Sequence, residues 1–305
     1  MFVTVAICTW NRAELLRQTL EQMCALRIPE NVEWELIVVD NNCTDATPDV
    51  VASFADRLPV KHVVETRQGQ SNARNRAMDI ARGDLLVWTD DDVLVDSDWV
   101  AEYVAASERW PDAGFFGGLI TPWFEIDPPS WFESNTRVLE GVMVIRDLGP
   151  REYRFNAGET PYGANMAFRR QAFESQRFDP NLGLVGDNAV RFDEMEYCRA
   201  LERAGFWGVW VPGAKVRHFV VARRMTLEYV WKHFEGDGRG LTRIRGRSAG
   251  QPLFGAPRWL YRQYASAKLD YWWKRVRRHP EWVRAFANAA HIRGIIVEHR
   301  AKARS

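Results

Sequence analysis

Short apolar runs alternate with amphipathic stretches through the first 120 positions. Phe2–Cys8 is a β-branched run that predicts a buried strand. Leu15, Leu16, Leu20 and Met23 recur at helical spacing and predict a helix over Arg12–Ala25. Trp34–Asp40 and Val60–Val64 predict two further strands, with a helix over Asp45–Ala55 between them. A helix over Ser71–Ala81, ended by Gly83, leads to a strand at Asp84–Trp88, and Ser97–Glu108 predicts the next helix. Strand–helix alternation of this kind implies a mostly parallel sheet flanked by helices, the α/β class. Ligands of such sheets bind beyond the carboxyl ends of the strands, which directs attention to Thr9–Arg12, Asp40–Asn42 and Asp90–Asp92.

Beyond residue 120 the pattern changes. Roughly 112–190 is rich in Pro, Gly and aromatics and predicts strands and long loops. A helix over Glu194–Ala204 and a strand over Trp207–Val211 follow, with a bend expected at Pro212-Gly213. From Thr226 onward the pattern is helical, with basic, Trp-bearing helices expected at Pro257–Arg278 and Pro280–Lys302. Gly236-Asp237-Gly238-Arg239-Gly240 is expected to be a flexible loop that closes over a substrate.

Composition narrows the class without naming a function. The 305 residues are 46% hydrophobic and 27% charged, which excludes wholesale disorder. No apolar stretch approaches the ~18 residues of a membrane span. The opening MFVTVAICTWNR has no basic leader region and is expected to be core strand. Four cysteines without CxxC spacing weaken zinc and redox readings. A net charge of +1 hides an asymmetry: 255–305 carries 12 Lys and Arg against 3 Asp and Glu, net +9, leaving net −8 before it.

Candidate chemistry gathers at the strand ends. Asp90-Asp91-Asp92 sets three carboxylates side by side, which suits a hard divalent cation, although a solvated turn explains an isolated triplet equally well. Asp40 can accept hydrogen bonds from a base or ribose or simply close an Asx turn. Arg74 is a cation suited to phosphate or to a solvated helix face. Asp193-Glu194 opens a helix, where the dipole stabilises carboxylates and leaves one able to take a proton. Taken alone, His218 is more readily a structural histidine than a ligand. No G-x-G-x-x-G follows the first strand and no G-x-x-x-x-G-K-[ST] occurs, which counts against a nicotinamide dehydrogenase and a P-loop NTPase.

The ordered set TVAICTWNR, VVDNNCTD, GQSNARNRAMDIARGD, TDDDV, YGANMAFRR, DEMEYCRALERAG and VPGAKVRH resembles the GT-A glycosyltransferases of family 2 from Val3 to His218. The resemblance implies a GT-A Rossmann-like sheet over 1–222, with a nucleotide-sugar half at about 1–120 and an acceptor half at about 121–222, and a helical extension over 223–305. It further implies a nucleotide-diphospho-sugar donor (UDP-linked by default), a divalent Mn2+ or Mg2+ ion and inversion at the anomeric carbon. By position, Thr9, Asn11, Arg12, Asp40, Arg74, Asp90 and Asp91 would line the nucleotide-sugar site. Gly163, Ala164 and Asn165 would approach the sugar and acceptor, and Asp92 and His218 would hold the metal. Relatives carry Glu-Asp where this chain has Asp193-Glu194, so the expected base is Glu194, with Asp193 as the alternate. Arg258-Trp259 lacks the Gln at position 255 of the processive Q-x-x-R-W motif, so addition of a single sugar is expected. A sugar-nucleotide nucleotidyltransferase and a non-catalytic sugar-nucleotide- or lipid-binding module are the competing readings.

The basic tail is not explained by the resemblance. It is expected to meet an anionic membrane surface, pack on the rest of the chain or mediate homo-oligomers. Nothing in the body supports nucleic-acid readout. The expected setting is cytoplasmic, peripheral at the inner face of the membrane, and the acceptor a saccharide or lipid-linked saccharide.

Overall fold

The computed structural model describes residues 1–185, 188–189, 192–246 and 248–301. Its opening strands β1 (Phe2–Thr9), β2 (Glu33–Asp40), β3 (Val60–Val64) and β4 (Leu85–Asp90) lie parallel in the order β3-β2-β1-β4. The linking helices are α1 (Ala13–Met23), α2 (Thr47–Ala52) and α3 (Gln70–Ile80). This is the half announced by the alternation of strand and helix patterns. The sheet then continues through β5 (Val93–Val95), β6 (Phe115–Phe124), β7 (Tyr153–Arg154), β8 (Met166–Arg169) and β11 (Gly208–Val220). Antiparallel pairs join β4 to β8, β8 to β6, β11 to β5 and β11 to β7, so the sheet is mixed, with nine strands among the described residues. The helix α7 (Arg170–Ser175) follows β8, and two short strands, β9 (Leu184–Val185) and β10 (Asn188–Ala189), precede α8 (Asp193–Arg203).

Alternation along the strands builds a core on each face. Val3, Val5 and Ile7 pack with Leu16 and Leu20 of α1 and with Trp99 and Tyr103 of α4 (Trp99–Arg109). Ala6, Ile37, Leu86 and Trp88 face Ala73 and Ala77 of α3 and Tyr197 and Leu201 of α8. Parallel register sets Thr9 opposite Asp40 and Cys8 opposite Asp90, so three strand ends deliver their polar residues to one edge. No bend interrupts the chain at Pro212-Gly213, contrary to expectation; β11 runs straight through it and delivers His218 opposite Val93. A Cβ at Gly213 would stand 2.2 Å from Glu102 Oε2, so the glycine serves close packing rather than a turn.

The chain divides into two compact units. One comprises Met1–Trp123, Val144–Val185 and Asp193–Phe219 and holds every residue of the candidate site; the other joins Phe124–Met143 to the chain from Val220 onward. The second unit contains α5 (Ser130–Glu133), α6 (Thr136–Met143), α9 (Leu227–Arg245), α10 (Arg258–Val276) and α11 (Trp282–Ala301). The last helix begins two residues after the expected Pro280, and its expected end, Lys302, lies outside the described residues.

The glycine run 236–240, expected as a mobile loop, is instead the middle of α9. A Cβ at Gly238 would fall 2.0 Å from the His291 carbonyl oxygen, and one at Gly294 would fall 2.0 Å from that of Glu235. Small residues there let the backbones of α9 and α11 approach, and this packing outweighs the ~1 kcal/mol propensity cost of each glycine. Buried Glu298 of α11 accepts from Arg243 Nε at 2.8 Å and Arg239 Nε at 3.4 Å across the same crossing. No described helix is long and apolar enough to cross a membrane.

Candidate active site

The acidic triplet sits in the turn between β4 and β5, and its members part company. Asp91 turns under the sheet edge: its Oδ2 accepts from Thr9 Oγ1 at 2.8 Å and its Oδ1 from Arg12 Nη1 at 3.1 Å. Its main-chain oxygen accepts from Thr19 Oγ1 at 3.0 Å. Asp92 also meets Arg12 Nη1, at 2.9 Å, and its other oxygen stands 3.2 Å from His218 Nε2. The Phe219 amide donates to the Asp92 carbonyl at 2.9 Å, which locks the histidine strand to the acidic turn. Ligand atoms of Asp90, Asp92 and His218 all lie within 4.8 Å of one another.

Crowding sets the electrostatics of this cluster. Burial first and the neighbouring Asp92 second push the Asp90 carboxyl up to about 7. Burial likewise raises Asp91 to about 6, against the opposing pull of Arg12. The Arg12 guanidinium is in turn held above its usual range, chiefly by Asp91. Two carboxylates and one imidazole converging in this way form a mixed oxygen and nitrogen donor set that fits a divalent cation.

A second grouping centres on Arg74, in the middle of α3. Its side chain is only 2% exposed. Nη1 donates to Asp193 Oδ2 at 2.6 Å and Nη2 to Glu194 Oε1 at 2.9 Å. The guanidinium also stacks 5.2 Å over the Phe178 ring. Both acids sit in the first turn of α8, and they differ in access: Asp193 is 3% exposed and Glu194 24%. Burial, with the adjacent Glu194, drives Asp193 well up. Burial pushes Glu194 up, but the charge of Arg74 and the hydrogen bonds it accepts from Asp193, the backbone and Arg74 together bring it down to about 2. A methyl group on Gly163 would lie 2.3 Å from both Arg74 Nη2 and Glu194 Oε1, so the backbone here runs against the ion pair.

The remaining predicted residues divide between edge and scaffold. Asp40 is buried, with Oδ1 accepting from the Cys43 amide at 2.7 Å and Oδ2 meeting His62 Nε2 at 3.1 Å. Asn11 adopts φ +53, and its side chain accepts from the Thr44 amide at 2.7 Å, pinning the loop after β1 to the loop after β2. Ala164 is buried and offers its carbonyl to Thr89 Oγ1 at 3.0 Å.

Asn165, expected at the sugar and acceptor, instead spends its whole side chain inside the protein. Its Oδ1 accepts from Trp99 Nε1 at 2.8 Å and Tyr103 Oη at 2.6 Å. Its Nδ2 donates to Leu119 O at 3.0 Å and Ala214 O at 2.8 Å. An amide has two donor hydrogens and two acceptor lone pairs, so nothing is left for a substrate. The sequence reading had passed over Thr19, which also accepts from the Val93 amide at 3.2 Å, and Ser71, whose hydroxyl donates to Leu182 O at 2.9 Å. Only the position of Ser71 at the start of α3 could have drawn attention to it.

The sequence model of a family described as Glycosyl transferase family 2 matches residues 4–176, more than half of the chain. The chain belongs to glycosyl transferase family 2. It is therefore an enzyme, a glycosyltransferase that uses a nucleotide-sugar donor, and the two competing readings fall away. Its relatives include the glucosyl-dolichyl phosphate glucuronosyltransferase of Haloferax volcanii, 29% identical over 80% of this chain and 76% of that protein. The succinoglycan biosynthesis protein ExoM of Rhizobium meliloti is 26% identical over 82% of this chain and 77% of its own length. In fold this family 2 glycosyltransferase is GT-A. It resembles the mannosyltransferase PcManGT of Pyrobaculum calidifontis, solved with GDP-Man and Mn2+, at a TM-score of 0.58 and 22% identity over 99% of this chain and 73% of that one.

Proposed function

We propose that this glycosyltransferase moves one sugar, by a single inverting displacement, from a nucleotide-diphospho-sugar to a hydroxyl of a saccharide or lipid-linked saccharide. One observation carries the reading: Asp90, Asp92 and His218 converge on a cation-sized space, and the Asp90 carboxyl feels both Arg74 and Glu194 of the second grouping. A divalent cation held by Asp90, Asp92 and His218 would supply positive charge to the leaving diphosphate. Thr9, Arg12 and Asp91 hold the turn in place, while Asp40 and Asn11 shape the pocket for the base and ribose.

Glu194 is the proposed base because its side chain is partly exposed, whereas that of Asp193 is buried against Arg74 and Ser71. A carboxylate held at about 2 is a weak base, and the clamp responsible is Arg74. An arriving diphosphate competes for that guanidinium and lets Glu194 rise toward the range where it accepts the acceptor's proton. The backbone at Gly163 passes close enough to this carboxylate to line the path of the sugar. A lipid-linked acceptor suits the Haloferax relative, whose name specifies a glucosyl-dolichyl phosphate.

Release of nucleoside diphosphate from UDP-, GDP- and dTDP-sugars, measured with Mn2+, with Mg2+ and with chelator, tests the reading. We expect one donor to turn over only with metal, with the opposite anomer in the product. Glu194→Gln should lower turnover about 10²–10⁴-fold while donor binding, followed by thermal shift, survives. Near-wild-type turnover in that variant, or a retained anomer, overturns the proposal.

A further inference from the structure

The helix α10 is apolar on two opposite sides, and only one of them is used within its own unit. Leu260 and Ala267 are buried with Ala289, Ile292 and Ile296 of α11, and Tyr261 and Tyr264 pack beside them. On the other side Leu269 and Val276 are each 71% exposed, Trp272 60% and Trp273 51%. Their spacing of three, four and seven residues puts all four on one helical face. An isolated exposed tryptophan means little, but two beside a leucine and a valine on one stripe mark a docking surface.

The charge around the stripe indicates what docks there. Arg258–Arg278 contains seven Lys and Arg and a single acid, Asp270. That acid is taken by Lys274 at 3.0 Å, and among the described residues Arg262 and Arg278 form no ion pair. Arg277 lies 4.7 Å over the Trp273 ring, so a guanidinium and an indole share the outer face. We propose that this face of α10 binds the anionic surface of a lipid bilayer, with Leu269, Trp272, Trp273 and Val276 in the headgroup–acyl boundary and the arginines on the lipid charges. Indole rings suit that boundary because they are apolar in body and polar at one edge. A second copy of the chain fits worse, because a two-fold contact lays each strongly basic helix against its own equivalent. This inference is independent of the reaction assigned above and stands or falls separately from it.

Co-sedimentation of the full chain with lipid vesicles decides it. Vesicles of phosphatidylcholine containing about 30% phosphatidylglycerol should carry the protein down, and pure phosphatidylcholine vesicles should not. Arg262→Glu with Arg278→Glu should weaken binding about twenty-fivefold or more, at about fivefold for each arginine lost, and added salt should release the wild type. Leu269→Ser combined with Trp272→Ser and Trp273→Ser should abolish binding while donor turnover in solution is unchanged. Should the serine variant fold poorly, the arginine variant carries the test alone, since both of its positions are exposed. Absence of binding to the anionic vesicles, equal binding to both vesicle types, or wild-type binding by the arginine variant overturns the proposal. So does a wild-type dimer in analytical ultracentrifugation that the serine variant abolishes, because the face would then belong to a second copy.

Discussion

Removing the charge of Asp90 should stabilise the metal-free protein while destroying its response to metal. The Asp90 carboxyl has its affinity for a proton raised from the ordinary 3.8 to about 7, chiefly by burial and then by Asp92. A group whose folded pKa lies above its unfolded value gives its full stabilising contribution below the unfolded pKa. It loses that contribution as pH rises through the folded one. For a shift of this size the loss between about pH 5.5 and about pH 8 is roughly 2 kcal/mol, and Asp91, raised to about 6, adds about 1 kcal/mol. Urea unfolding in chelator should therefore show wild-type stability falling by about 2–3 kcal/mol over that interval. Asp90→Asn has no carboxylate to ionise there, so it should lose only the smaller Asp91 share and exceed the wild type by about 2 kcal/mol or more near pH 8. Saturating Mn2+ should reverse the order, raising the wild type and leaving the variant where it was. Wild-type stability that is flat or rising over the interval, or a variant no more stable than wild type at pH 8, would refute the reasoning.

Three further substitutions separate scaffold from chemistry. Asn165→Ala strands the Trp99 and Tyr103 donors and two carbonyls in a fully buried site, and should cost about 3–5 kcal/mol in urea unfolding. Gly163→Ala pushes only on the ends of Arg74 and Glu194, which can yield, so stability should hold while turnover drops about a hundredfold. Gly238→Ala meets main chain at 2.0 Å, where nothing flexible gives way, and should cost about 3 kcal/mol or more, seen as early melting of the helical unit.

The parallel half of the sheet was legible because its strands are short runs rich in Val, Ile and Leu separated by helical periods; Val60–Val64, although it carries Lys61 and His62, was placed to the residue. The acidic triplet and His218 were also legible, but only as members of an ordered set. Local sequence left each with a bland alternative, and it is the strand pairing of β5 with β11 that sets them side by side. Asn165 shows the opposite failure. A polar residue in a predicted donor loop looks like a ligand, and nothing local reveals that Trp99 and Tyr103, more than sixty residues away, will use its acceptor oxygen. The glycine run 236–240 misled for a related reason. Glycine weakens an isolated helix, yet it is what permits α9 and α11 to approach, and the partner residues His291 and Gly294 lie more than fifty positions on.

Charge accounting within the first unit ties these features to the proposed chemistry. Five acids, Asp90, Asp91, Asp92, Asp193 and Glu194, share two fixed cations, Arg12 and Arg74. Arg12 bridges Asp91 and Asp92 and Arg74 bridges Asp193 and Glu194, so Asp90 is the carboxylate without a guanidinium of its own. Burial and the adjacent Asp92 hold its proton up to about 7, whereas Glu194, also subject to burial, is brought down to about 2 by Arg74 together with the hydrogen bonds it accepts. A third fixed arginine beside Asp90 would take the place of a mobile cation. On the proposed reading the deficit is retained because the reaction needs it. The metal-free pocket is destabilised by its own carboxylates, and a bound divalent cation would offset part of that charge and let the anionic diphosphate approach.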